Sequence, residues 1–310
     1  MKKKWLGAIG SAALAASGLG VYLSNRLMYY RKKEEQFILE REVSAKRINL
    51  KNYEELPKEE VWIQSSFGYP LKTVFIKPYP ESKKFMIFAH GISESKTNSI
   101  KYMNLFLKFG FNAVLYDHRR HGESGGETSS YGHYEKHDLK NVADELLKRE
   151  GEDTFFGIHG ESMGAVTTLL YAGTLEDRAD FYIADCPFSE FSDQVAHQLN
   201  RVLKIPGKWL IPLADAFLKL RERYSFKDVS PLQAVQHIEK PVLFIHSLGD
   251  DFILPDMSKD LFDHKKGPKK LYLAEKGAHA QSLNENPEDY ERAIADFLAE
   301  FFPGRGWPSL

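Results

Sequence analysis

Residues 160–164 read Gly160-Glu161-Ser162-Met163-Gly164, a G-x-S-x-G pentapeptide that makes Ser162 a candidate nucleophile. A serine hydroxyl attacks poorly at neutral pH unless a base lies within hydrogen-bond reach and a carboxylate orients that base. Candidates for both follow later in the chain. Asp250 lies in His246-Ser247-Leu248-Gly249-Asp250-Asp251, and His279 lies in Glu275-Lys276-Gly277-Ala278-His279. Asp251 is the alternative acid; Asp250 is preferred because Asp251 begins a segment expected to pack toward the next helix. Acyl transfer also needs amide donors for a tetrahedral oxyanion. The backbone N–H groups of Met163, just after the serine, and of Ile92, in His90-Gly91-Ile92, are the candidates.

The pentapeptide alone is weak, since glycine and serine are common enough for it to arise by chance about one time in ten in a chain of this length. A second copy, Gly122-Glu123-Ser124-Gly125-Gly126, makes the point. It runs into Glu127-Thr128-Ser129-Ser130, with no apolar periodicity to make a helix, so Ser124 reads as a loop serine. Around Ser162 the chain reads FFGIHGESMGAVTTLL, an apolar strand, a tight glycine-flanked turn and an apolar helix. Such a turn lifts the hydroxyl above a sheet and aims helix N-terminal amides at it.

Short apolar runs at 85–89, 113–116, 154–158, 181–184, 242–245 and 271–273 predict buried strands. Amphipathic segments near 99–109, 137–149, 163–173, 256–264 and 287–302 predict helices between them. Runs at 61–63 and 73–76 around the turn Phe67-Gly68-Tyr69-Pro70 predict an opening antiparallel hairpin. The alternation implies an α/β domain over 61–302, with a mainly parallel sheet and helices on both faces. Ser162, Asp250 and His279 then all fall just beyond strands, at the carboxyl edge where such sheets bind ligands. Between about 186 and 240 two further helices, near 189–203 and 207–223, predict a cap over that edge. Its apolar residues Trp209, Leu210, Ile211, Leu213, Phe217 and Leu218 could line an acyl pocket or pack the cap down.

Hydrophobic residues make up 43% of the 310, enough for a substantial core, and the net charge of −1 offers no basic stripe for nucleic acid. The single cysteine, Cys186, excludes an intrachain disulfide. Residues 5–23 carry no charge and are flanked by Lys2-Lys3-Lys4 and by Arg26, Arg31, Lys32 and Lys33. As a helix this run would be about 28 Å long, near the hydrocarbon thickness of a bilayer. Residues 1–30 therefore predict a single-pass cell-membrane anchor, with basic residues at both ends leaving either orientation open. Ala13-Leu14-Ala15 resembles a signal-peptidase site, which makes a cleaved signal and a secreted protein the alternative. The charge-dense residues 31–60 read as a helical linker, and 303–310 as a tail.

Asp117, His118 and His121, with His133 and His137 nearby, raise a metal hypothesis, but their spacing fits no compact ligand set. A hydrogen-bonded loop that buttresses the His90-Gly91 turn is the favoured reading, with a structural role for the His90 side chain.

Taken together, the His90-Gly91 turn, the D-x-R-x-H-G-x-S-x-G segment at 117–126, the elbow at 160–164, Asp250 and His279 resemble, in order, the α/β-hydrolase superfamily. TSSYGHYEKHDL at 128–139, HGESMGA at 159–165 and FYIADCPF at 181–188 resemble more narrowly a group of N-terminally anchored hydrolases of Gram-positive bacteria. That group is similar to the serine-aminopeptidase-like and BAAT/dienelactone-hydrolase-like branches. His246-Ser247 stands where many relatives have His-Gly. The resemblance implies an α/β-hydrolase fold and a carboxylesterase-like serine hydrolase that cleaves small-molecule acyl esters through Ser162, His279 and Asp250, without metal or organic cofactor. A peptidase or amide hydrolase using the same triad, and a non-catalytic binding protein on the same fold, are the alternatives.

Overall fold

The structure is a computed structural model and describes residues 2–204 and 206–307, the side chains of 2–10, 12, 13 and 203 excepted. Three helices come first, α1 (Lys2–Met28), α2 (Glu35–Ser44) and α3 (Leu50–Glu55). Strands β1 (Lys58–Gln64), β2 (Pro70–Ile76) and β3 (Lys84–Ala89) follow, then α4 (Ile100–Lys108), β4 (Asn112–Tyr116), α5 (Glu135–Glu150) and β5 (Phe155–Glu161). Next come α6 (Met163–Thr174), β6 (Phe181–Asp185), α7 (Phe191–Leu203), α8 (Ile211–Glu222) and α9 (Pro231–Ala234). The chain finishes with β7 (Val242–Ser247), α10 (Pro255–His264), β8 (Lys269–Ala274), α11 (Ser282–Glu285) and α12 (Pro287–Phe301).

The eight strands form one sheet in the order β1-β2-β4-β3-β5-β6-β7-β8. β1, β2 and β4 pair antiparallel, and every pairing from β4 through β3 to β8 is parallel. Alternate residues of one strand enter two different cores. Phe85 and Ile87 pack with Leu139, Val142 and Leu146 of α5 and Leu169 of α6, whereas Met86 and Phe88 pack with Met103 and Phe106 of α4 and Phe297 of α12. Helices thus cover both faces of the sheet, which is why its strands read as unbroken apolar runs rather than as alternating ones. All the expected strands and helices of the domain are found within a few residues of their sequence positions.

The N-terminal 60 residues make contacts with the domain that the sequence did not show. Among the described residues, no helix is long and apolar enough to cross a membrane. The run at 5–23 is rich in glycine and alanine, and part of it lies outside the described side chains. From Leu19 onward α1 lies on the cap. Leu23 and Met28 are buried with Phe188, Phe191 and Val195, and Arg221 donates to Ser24 Oγ at 2.7 Å and to Asn25 Oδ1 at 2.8 Å. A Cβ on Gly20 would stand 2.3 Å from the Phe217 ring, so the absent side chain lets α1 close onto α8. Residues 31–60, read as a linker, carry α2 and α3 and bury Ile38, Glu42 and Ile48 against the domain. At the other end Trp307 stacks on Phe111, with ring centroids 5.6 Å apart; residues 308–310 of the expected tail lie outside the described residues.

Candidate active site

Ser162 joins β5 to α6 at φ 55° and ψ −114°, a backbone conformation that a residue with a Cβ adopts only under constraint. Two close approaches impose it. A Cβ on Gly160 would stand 2.3 Å from the Gly164 carbonyl oxygen, and one on Gly164 would stand 2.0 Å from that of Ala89. The Ser162 N–H donates to the Asp185 carbonyl at 2.7 Å, tying the turn to β6. Its hydroxyl consequently projects at the carboxyl edge of the sheet.

The loops after β7 and β8 bring the other two residues to it. Ser162 Oγ lies 2.8 Å from His279 Nε2, and His279 Nδ1 lies 2.7 Å from Asp250 Oδ2. The chain of contacts fixes the roles of the ring nitrogens: Nδ1–H donates to the carboxylate and Nε2 accepts from the serine. Asp250 Oδ1 accepts from the N–H groups of Phe252 at 2.9 Å and Ile253 at 3.0 Å. Burial pushes the Asp250 carboxyl up, but hydrogen bonds from His246 and His279 outweigh it and hold the group well below the usual carboxylate range. Asp251 turns outward, its side chain 77% exposed and paired with Arg201. The Phe252 ring packs on the imidazole of His279 at 4.9 Å between centroids.

His246 is a part of this arrangement that the sequence reading passed over. Its Nε2 stands 3.1 Å from Asp250 Oδ2 and 2.9 Å from the Ile253 carbonyl, and its Nδ1 stands 2.7 Å from Ser258 Oγ. Donation from Nε2 to the carboxylate and the carbonyl, with Nδ1 paired to the serine hydroxyl, satisfies all three. His246 is fully buried and shares the same carboxylate oxygen, Asp250 Oδ2, with His279. Its position at the end of an apolar strand, four residues before Asp250, was the available signal.

The two candidate oxyanion donors flank the serine. Met163 opens α6, so its N–H has no intrahelical acceptor. Ile92 and Ser162 line the same cleft, and a Cβ on Gly91 would stand 3.5 Å from Ser162 Cβ and 3.0 Å from Glu161 Oε1. The His90 side chain sits beneath this loop, with Nδ1 2.8 Å from the Gly91 carbonyl and Nε2 accepting from the His118 N–H at 3.0 Å. Burial lowers its pKa to about 4, so the ring is neutral. His121 Nε2 accepts from the Ser93 N–H at 3.1 Å, and Asp117 accepts from the Lys96 N–H at 2.8 Å and from its ammonium at 3.0 Å. The 117–126 loop therefore supports the 90–96 loop through hydrogen bonds that engage the Asp117 and His121 side chains, while His118 Nε2 is buried with no hydrogen-bond partner among the described residues. Ser124 donates to the Asp117 carbonyl at 2.7 Å and accepts from the Lys72 N–H at 2.8 Å, well inside that support. His133 stacks on Tyr224, away from the loop, and His137 packs edge-on to Phe67.

Another group of potential ligand atoms, on Cys186, Asp250 and His279, lies within 4.8 Å. Asp250 and His279 are already hydrogen-bonded to one another, His279 is also hydrogen-bonded to Ser162, and burial pushes the Cys186 thiol far from ionisation.

Two recesses meet at Ser162. One is a chamber of about 370 Å³ with mostly aliphatic and aromatic walls, bounded by α1, α7 and Met163. The other is a charged cleft of about 470 Å³ that contains His279, Lys33, Arg41, Glu94 and Lys101. Of the two roles weighed for the six apolar cap residues, pocket lining and packing of the cap, the first is not found: none of them lines the chamber. Trp209 is 72% exposed, Leu218 is buried in the cap core and Phe217 packs on Gly20, while Phe191, Val195 and Leu199 of α7 supply the lining. The helical period of the 207–223 segment showed an apolar face but not which neighbour it covers.

Residues 80–230 match the model of a family described as serine aminopeptidase, S33. The chain is 44% identical to the uncharacterized protein YqkD of Bacillus subtilis over 96% of this chain and 97% of that one. It is 24% identical to the alpha/beta hydrolase domain-containing protein WAV2 of Arabidopsis thaliana over 79% and 80% of the two chains. Among solved structures, the Pyrococcus furiosus esterase Pf2001 superposes with a TM-score of 0.65 at 22% identity, covering 82% of this chain and 94% of that one. A mostly parallel sheet covered by helices on both faces, a strained serine turn between its fifth strand in chain order and the following helix, and this set of relatives lead to one conclusion: the chain belongs to the α/β-hydrolase superfamily.

Proposed function

We propose that the chain is a serine hydrolase that cleaves carboxylic esters through an acyl-enzyme intermediate. The observation that carries this reading is the continuous line Asp250–His279–Ser162, with contacts of 2.7 and 2.8 Å, ending on a hydroxyl raised by a strained turn. Ser162 Oγ attacks the ester carbonyl carbon while His279 Nε2 takes the hydroxyl proton. The carbonyl oxygen becomes an oxyanion facing the N–H groups of Ile92 and Met163. Collapse breaks the bond to the alcohol oxygen, which leaves with the proton from His279. Water then loses a proton to His279 as it attacks the acyl-serine, and the carboxylic acid departs with Ser162 restored. Asp250 stabilises the imidazolium that forms in each half without taking its proton.

Amide cleavage by the same residues is the second reading, favoured by the description of the matching family. An aminopeptidase must also hold a free ammonium group. The carboxylates near Ser162 are engaged already: Glu94 by Lys33 and Arg41, and Glu161 by Asn98, Tyr102 and Lys101. This engagement favours the ester reading. The test is turnover of p-nitrophenyl acyl esters against aminoacyl p-nitroanilides, with fluorophosphonate labelling of the wild type and of Ser162→Ala. Labelling lost in the variant together with ester turnover supports the proposal. Anilide preference transfers it to the amide reading, and no Ser162-dependent labelling removes the enzyme claim.

A further inference from the structure

The general acid of a serine hydrolase gives its proton to the leaving alcohol, so the alcohol must lie on the side of the serine where that acid stands. The acyl chain then extends to the other side. In this protein the two sides differ sharply in chemistry. His279 lines the charged cleft and not the apolar chamber, while Ser162 and Ile92 line both. The reacting carbonyl, held between Ser162 and the Ile92 amide, therefore sits where the recesses join.

One wall of the chamber is the chain's own N-terminal helix. Leu19, Tyr22, Leu23 and Leu27 of α1 face Val195 and Leu199 of α7 across it. Several contacts hold α1 in that position: the Gly20–Phe217 approach, the bonds from Arg221 to Ser24 and Asn25, and the Ser129 N–H donating to the Met28 carbonyl at 3.0 Å. The connection to α2 is fastened as well, because the Lys33 N–H donates to the Ser93 carbonyl at 2.9 Å, one residue beyond Ile92. An apolar wall of this kind rewards burial of methylene groups and offers little to a small acyl group such as acetyl.

Resting on the ester-hydrolase reading above, we propose that the substrate joins an extended aliphatic acyl group to a short polar alcohol. The acyl chain lies in the chamber between α1 and α7, with Leu23 and Leu27 as specificity-determining residues, and the alcohol lies in the charged cleft beside His279.

Ethyl octanoate and octyl acetate test this directly, being isomers with the ester group reversed. The expected result is a higher kcat/KM for ethyl octanoate, and a rise of up to about fourfold for each methylene added to the acyl chain until the chamber is filled. Leu23→Trp, which fills the chamber, and Gly20→Val, which forces α1 off Phe217 without entering it, should each lower the octanoate-to-acetate ratio of ethyl esters by about tenfold or more. Preference for octyl acetate, a flat chain-length series, or an unchanged ratio in both variants overturns the inference while Ser162-dependent acetate hydrolysis leaves the ester reading standing. Absence of any Ser162-dependent hydrolysis overturns both.

Discussion

Ser162 and Ser124 share a pentapeptide but not an environment. Ser162 Oγ meets the imidazole of His279 at 2.8 Å, while Ser124 Oγ is spent on two backbone groups. Ser162→Ala should lower kcat by a factor of about 10⁴ or more while leaving the melting temperature unchanged, measured by ester turnover and thermal denaturation. Ser124→Ala should do the reverse, costing about 1–3 kcal/mol in denaturant unfolding through its unsatisfied backbone partners, with little change in turnover. Asp250→Asn should lower kcat by a factor of about 10⁴, since an amide can neither fix the Nδ1–H tautomer nor balance an imidazolium. Ser162, Asp250 and His279 could be picked out from the sequence because each follows its own strand by a few positions. His246 stands at a strand end four residues before Asp250, but its role there depends on Ser258 and Ile253, which only the folded loop brings to its two nitrogens.

At the scale of elements, the turn between β5 and α6 decides whether the serine is presented at all. Helix α6 can lie against β3 only because Gly164 lets the Ala89 carbonyl approach to a distance that no Cβ tolerates. Gly164→Val should therefore destabilise the protein by at least about 2 kcal/mol and lower turnover as well, read together by denaturant titration and activity of the soluble fraction. The strands and helices themselves were readable because each has both a period and a length. The partner of an exposed apolar stripe is a different kind of information. The apolar cap residues after Pro206 and the apolar residues of α1 have similar character, yet one set packs largely away from the chamber and the other lines it.

At the scale of the whole molecule, the N-terminal segment belongs to the body that carries the site. Removal of residues 1–28 would uncover Phe188, Val195 and Leu218 on the cap, so the truncated protein should melt at a lower temperature and bind more of an apolar dye. Acid stability also depends on the whole fold. Burial lowers His90 to about 4 and His121 and His159 to about 3, and it lowers His118 well below the usual histidine value, whereas it raises Asp138 and Asp185 to about 7. A depressed histidine contributes stability that is fully present above its unfolded value, near 6.5, and is lost as pH falls toward its folded value. A raised aspartate works oppositely, its contribution being lost as pH rises through 7. The four histidines outweigh the two acids, so the melting temperature should fall between pH 6.5 and 4. In Asp185→Asn that fall should become steeper, because an opposing group is gone; a shallower fall would contradict the assignment.

By itself the sequence determined the α/β alternation, the elbow with its two crowded glycines, and the order of serine, acid and histidine along the chain. These features are local: period, turn chemistry and strand ends are written within a dozen residues of one another. Tertiary structure decided which helix walls the chamber, which recess holds His279, and what becomes of the N-terminal run. An uncharged stretch of 19 residues has the same composition whether its neighbour is lipid or protein. The close approach at Gly20, the hydrogen bonds from Arg221 and the burial of Leu23 and Met28 give the cap as the neighbour of the helix from about residue 19 onward.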